Sequence, residues 1–165
     1  MARTLTARRR LLAVMGGGFL GAMARYLLSL LVQSHLGKAW PYDILLINIT
    51  GALVLAFVTT LADATFLIGP TRRLFINVGF LGAYTTFSSL ALGSILLFAG
   101  GNWFPALLYL FLSLLGGILA VLVGDWLGQW VVGWGRRKPP YVAIEEQKAA
   151  KMSGEESLPA AQDAN

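Results

Sequence analysis

The sequence contains no cysteine, which excludes disulfides, thiolate metal sites and a thiol nucleophile. Charge is scarce as well: Asp, Glu, Lys and Arg make up 13% of the 165 residues, against about 25% in an average soluble domain. Hydrocarbon fills the chain instead, with 56% hydrophobic residues and a mean hydropathy of +0.67. A soluble globular domain is not built this way, so the useful unit of organisation is the membrane span. The net charge of +5 comes from 13 basic and 8 acidic residues. The basic ones gather at the ends of apolar runs rather than along a face that could follow phosphates, so nucleic acid is not an expected partner.

A helix needs about 20 apolar residues to cross a bilayer, and four runs qualify. They cover Leu11 to about Ser34, Ile44 to Ala62, Leu74 to Ala99, and Phe104 to about Gly124. The last continues to about residue 131 through a stretch that sets Trp126, Trp130 and Trp134 on one helical face. That face suits headgroup level, with Trp40 and Trp103 marking the opposite interface. The first run follows Arg8, Arg9 and Arg10 and contains Ala22-Met23-Ala24, which imitates a signal peptide and its cleavage site. Glycines at 16, 17, 18 and 21 weaken that imitation, and apolar character resumes directly after Arg25. The expected organisation is a basic N-terminus (1–10), a four-helix membrane domain (11–138, spans 11–34, 44–62, 74–99 and 104–131) and a disordered tail (139–165).

Four crossings put both termini and the second loop on one side. That side carries Arg3, Arg8, Arg9, Arg10, Arg72, Arg73, Arg136, Arg137 and Lys138, whereas Lys38 stands alone on the other. The bias predicts a multi-pass cell-membrane protein with cytoplasmic termini, inserted one way round.

Polar side chains inside such spans are costly and mark candidate functional sites. Most fall in the third span, where Gly79-Phe80-Leu81-Gly82-Ala83-Tyr84-Thr85-Thr86-Phe87-Ser88-Ser89 replaces the expected Leu and Val with glycines and hydroxyls. This composition predicts a helix broken at mid-membrane, exposing carbonyls from one half and N–H groups from the other. Close helix packing with local Ser and Thr hydrogen bonds is the simpler alternative. In the second span, Asn48 and Thr50 either tie helices together or face a pore. Arg25 is read as snorkelling or pairing with carbonyls, since a fixed cation deep in an anion path would trap the ion. Gly17 and Gly21, one turn apart, suggest a small-residue helix contact of the kind used in assembly. His35, Asp43, Asp63 and Asp125 share no metal-ligand or acid–base spacing, and no Ser sits in a nucleophile motif, so an enzyme is not expected.

These residues resemble the family of small fluoride channels called Fluc or CrcB. The likeness lies in residues 16–26 (Gly16 to Tyr26, with Arg25), in Asn48 with Gly51, and in Gly79 to Ser88, in order and spacing, and spans about Leu11 to Gly124. The resemblance implies an all-α subunit that pairs antiparallel with a second one, forming two pores around a structural sodium ion. The sodium would be held by backbone carbonyls of Gly82 and Thr85, with Asn48 and Phe87 lining the pore. Fluoride is small and strongly hydrated, and only close donors offset its dehydration. Asn48 N–H groups, the hydroxyls of Thr86 and Ser88 and the positive edge of the Phe87 ring are uncharged donors of that kind. Fluoride rather than chloride rests on the resemblance, since donor chemistry alone leaves both open.

Departures from the family pattern are equally specific. Leu90 stands where a second pore Phe is usual, Gly93 where a Glu is frequent, and Gly117 and Val121 where the fourth helix carries hydroxyls, with Ser113 a substitute one turn earlier. Together with the charge bias, they predict a heterodimer with an oppositely biased chain and one working pore of two. A non-conducting partner subunit is the main rival. A proton-coupled multidrug exporter is disfavoured because the first three helical spans hold no interior Asp or Glu.

Overall fold

The computed structural model describes residues 7–64 and 68–135, the side chains of residues 134 and 135 excepted. The expected disordered tail, Arg3, Arg136, Arg137, Lys138 and the Trp134 side chain lie outside this set. The described helices are α1 (Ala7–Leu36), α2 (Tyr42–Ala64), α3 (Pro70–Arg73), a π-helical stretch (Leu74–Leu81), α4 (Gly82–Tyr84), α5 (Phe87–Ala99) and α6 (Trp103–Gly135). The third span, Pro70–Ala99, comprises everything from α3 to α5, and four stretches are long and apolar enough to cross a membrane. The helices overrun the apolar runs of the sequence by about a turn or less, because helical hydrogen bonding continues into headgroup-level polar residues.

Glycine in a left-handed conformation ends two of the crossings. After α1, Gly37 (φ 77°) donates its N–H to Gln33 C=O at 3.0 Å, a single-bond cap that needs a residue without Cβ strain. After α5, Gly101 (φ 76°) donates to Phe98 C=O and Asn102 to Leu97 C=O, both at 3.0 Å. That double bond pair satisfies two carbonyls that would otherwise face hydrocarbon or headgroup unpaired. Proline at the first position of α3, after Gly69, supplies the fixed φ that starts the third span. Arg73 pairs with Asp63, near the end of α2, at 2.6 Å; both are well exposed, so the pair fixes geometry more than it adds stability.

α1 and the third span meet backbone to backbone. A Cβ on Gly17 would lie 2.2 Å from Phe75 O, one on Gly21 2.1 Å from Phe80 O, and one on Gly79 2.7 Å from Val14 O. Small residues permit this approach, and dispersion across it replaces the hydrophobic drive that lipid removes. The contact made by Gly17 and Gly21 is therefore within the chain. α6 approaches α2 in the same way, with Gly124 against Leu53 O and Gly128 against Thr60. The buried core is small, centred on Leu97, Ala106 and Tyr109 with Trp40 and Leu90 packed on it. Large apolar side chains such as Phe19, Leu31, Phe111 and Leu122 face outward, the arrangement suited to a hydrocarbon solvent.

Gly21→Ala is expected to lower thermal stability by about 1–3 kcal/mol, because the two backbones must separate. Gly117→Ala meets nothing within 4 Å and is expected to be neutral or slightly stabilising, by at most about 1 kcal/mol. Thermal unfolding of the purified variants in detergent checks the contrast.

Candidate functional site

Between α4 and α5 lie Thr85 and Thr86, both with extended backbone (φ −75°, ψ 155° and φ −150°, ψ 114°). Extended residues in an apolar span leave backbone groups that hydrocarbon cannot solvate. Asn48 of α2 pairs with them: its Oδ1 accepts the Thr86 N–H at 2.8 Å, and its Nδ2 donates to the Thr86 C=O at 3.1 Å. One carboxamide thus satisfies both polar groups of one residue, in the manner of a neighbouring strand. The amide keeps a second N–H beyond the one given to Thr86.

The start of α5 is organised by Thr86 itself. Its buried hydroxyl accepts the Ser89 N–H at 3.2 Å, which is an N-cap. The same hydroxyl donates to Ser89 Oγ at 3.0 Å and lies 3.2 Å from Ser88 Oγ. Thr86, expected as an ion donor, spends its hydroxyl on the helix. On the α4 side, Thr85 gives both its N–H and its hydroxyl to Leu81 C=O at 3.0 Å. Its methyl fills the space left by Gly51, where a Cβ would lie 2.3 Å away. Tyr84 reaches Thr50 with its hydroxyl at 2.9 Å and stacks on Phe80 at 6.0 Å.

The interruption has a consequence for carbonyls. In an unbroken helix Gly82 C=O would accept from Thr86 N–H, and Thr85 C=O from Ser89 N–H. Those two amides are diverted, one to Asn48 and the other to the Thr86 hydroxyl. Gly82 and Thr85 therefore present carbonyl oxygens deprived of their helical donors, the chemistry a hard cation takes. Gly82 is exposed, and a Cβ there would come no nearer than 3.9 Å to another chain atom, Asn77 O.

Phe87 follows the interruption and is 81% exposed. It borders a cleft of about 310 Å³ lined by Asn48, Ala52, Leu55, Thr85, Thr86, Phe87 and Leu90, with no charged side chain among the described residues of its lining. Asn48, Thr86, Phe87 and the exposed Ser88 thus come together, and Leu90 joins them. Arg25 does not: it is half-buried on α1 and, among the described residues, bonds to none of them.

Three polar groupings escaped the sequence reading. Asp43, 5% exposed, accepts bonds from Ser29 and Gln33 and so ties the end of α1 to the start of α2. Asp125 accepts from Thr60 at 2.6 Å and Gln129 at 2.8 Å, joining α6 to α2. Tyr109 and Ser113, one turn apart on α6, bury hydroxyls that have no partner among the described residues. The signal available for the first was the spacing of Ser29 and Gln33, which puts two donors on one face of α1.

A family model described as CrcB-like protein, Camphor Resistance (CrcB), matches residues 12–125. A Chloroflexus aurantiacus protein named fluoride-specific ion channel FluC is 37% identical over 123 residues, covering 74% of this chain and 98% of the relative. Proteins of the same name are 39% identical over 117 residues in Chlorobium chlorochromatii (71% and 90% covered) and 43% identical over 122 residues in Trichormus variabilis (73% and 89% covered).

Thr86→Val removes the cap of α5 and is expected to cost about 0.5–2 kcal/mol, whereas Thr86→Ser keeps the capping oxygen and most of the stability. Chemical or thermal unfolding followed by circular dichroism separates the two.

Proposed function

The chain belongs to the CrcB family, and on that premise we propose that it is a subunit of a fluoride-specific channel that lowers cytoplasmic fluoride by passive export. Its match covers nearly the whole length of relatives bearing that name. The observation that carries the reading is the cleft beside the third-span interruption, whose described lining joins Asn48, Thr85, Thr86 and Phe87 without a charged side chain, with the Ser88 hydroxyl 3.2 Å from that of Thr86. Stripping water from an ion in low dielectric costs on the order of 20 kcal/mol. The remaining Asn48 N–H, the Ser88 hydroxyl and the Phe87 edge offset part of that cost, and their neutrality lets the ion leave. Thr86 works through the backbone: its cap and its bonds to Asn48 hold the donors in place. Conduction of this kind forms no covalent bond, so the subunit acts as a channel component and not as an enzyme.

A structural sodium ion fits the same interruption, with the Gly82 and Thr85 carbonyls as ligands, because their helical donors are engaged elsewhere. Bound there, sodium supplies fixed positive charge at the break. The pairing is with a second CrcB subunit in antiparallel orientation. The lopsided distribution of Lys and Arg fixes this chain with its termini in the cytoplasm of a cell-membrane protein, so its partner is an oppositely biased chain and the assembly a heterodimer. Two features favour a second reading, a partner subunit that contributes little conduction: Leu90 borders the cleft, and Gly117 faces open space with no side chain to offer.

Fluoride-electrode efflux from liposomes tests the proposal. Co-purified with an oppositely biased subunit, the chain is expected to give fluoride efflux, and to give little alone. Asn48→Ala or Phe87→Ile is expected to slow efflux by about 10- to 100-fold, the loss of one bond to an ion worth about 1.5–3 kcal/mol. Robust efflux from this chain alone overturns the heterodimer, and efflux unaffected by either substitution favours the non-conducting reading.

A further inference from the structure

Two grooves lie at the end of the bundle where α1 begins and the third span starts. One, of about 360 Å³, is lined by Arg10, Pro70, Arg73, Leu74, Asn77 and Val78, so a polar amide interrupts its apolar wall. The other, of about 480 Å³, is lined by Arg9, Leu12, Thr71, Arg72, Phe75 and Ile76. This second groove brings two exposed guanidinium-bearing residues from different helices, and a hydroxyl, over a floor of apolar side chains. Among the described residues, no acidic one contributes to its lining.

We propose that this Arg9–Arg72 groove binds an anionic glycerophospholipid, its phosphate between the two arginines and an acyl chain along Leu12, Phe75 and Ile76. Charge complementarity selects the occupant. Guanidinium groups bind phosphate oxygens bidentately, and a basic pocket between spanning helices at the membrane surface is a headgroup site of known chemistry. The apolar floor distinguishes a lipid from a free anion, which would have no use for it. The groove lies apart from the Asn48–Phe87 cleft, so it adds a membrane contact to the subunit that conduction does not require. Its place beside the Gly17–Gly79 crossing makes it a clamp on the α1 contact with the third span.

Native mass spectrometry of the full chain, titrated with phosphatidylglycerol or phosphatidylcholine of equal chain length, reads the site. The wild type is expected to retain phosphatidylglycerol preferentially. The Arg9→Gln, Arg72→Gln pair is expected to weaken that retention by about fivefold for each arginine removed, while Lys38→Gln at the opposite end leaves it unchanged. Excess inorganic phosphate is expected not to displace the lipid. Equal retention of the two lipids, an unchanged double variant, or displacement by phosphate overturns the proposal. Where the double variant does not fold, wild-type chain photolabelled with phosphatidylglycerol carrying an acyl-chain diazirine gives the same answer. Label on Leu12, Phe75 or Ile76 supports the groove, and label confined to other surfaces overturns it.

Discussion

Hydrocarbon cannot hydrogen-bond a peptide group, and the bond pair between the Asn48 carboxamide and the Thr86 backbone is how this chain meets that constraint where its third span leaves helical geometry. Without it, Thr86 would carry an unpaired N–H and C=O in a buried setting, each costing about 1–3 kcal/mol. With it, the extended residues become a stable feature around which the rest is arranged. The tie spans 38 residues of sequence, so it also fixes α2 against the third span at one register.

The remaining features of the site follow from that one fixture. Holding Thr86 extended frees its hydroxyl to cap α5, and the cap draws Ser88 and Ser89 into the same small network. It also turns Phe87 outward at the first position of α5, beside the cleft. Diverting the amides of Thr86 and Ser89 deprives the Gly82 and Thr85 carbonyls of their helical donors. A single departure from helix thus yields both hydrogen-bond donors and acceptors within a few residues. Around it, backbone-close crossings at Gly17, Gly21 and Gly79 keep the first half of the third span rigid against α1.

Much of the fold was legible because length and hydropathy leave few alternatives: four runs are long enough to cross, and the basic residues gather at their ends. The family was legible from short segments that mean little singly and much in order. The specific partners were harder to read. Asn48 announced itself as an expensive side chain, but that it would pair with the backbone of Thr86 depends on a fold-level contact. Thr86 and Ser88 looked equivalent as hydroxyl donors, and only local geometry separates a cap from a side chain left exposed. Asp43 shares no metal-ligand or acid–base spacing with other acids, and its donors, Ser29 and Gln33, belong to another helix. The π-helical winding of Leu74–Leu81 leaves no mark in composition, since it differs from an α-helix only in which carbonyl each amide reaches.

The most direct test is solid-state NMR of the isotope-labelled chain in lipid bilayers, read at residues 85 and 86. The Asn48 tie predicts extended-type Cα and Cβ shifts for Thr85 and Thr86, with a through-space correlation between the Thr86 amide nitrogen and the Asn48 carboxamide carbon. Helical shifts at both threonines, with no such correlation, would contradict it.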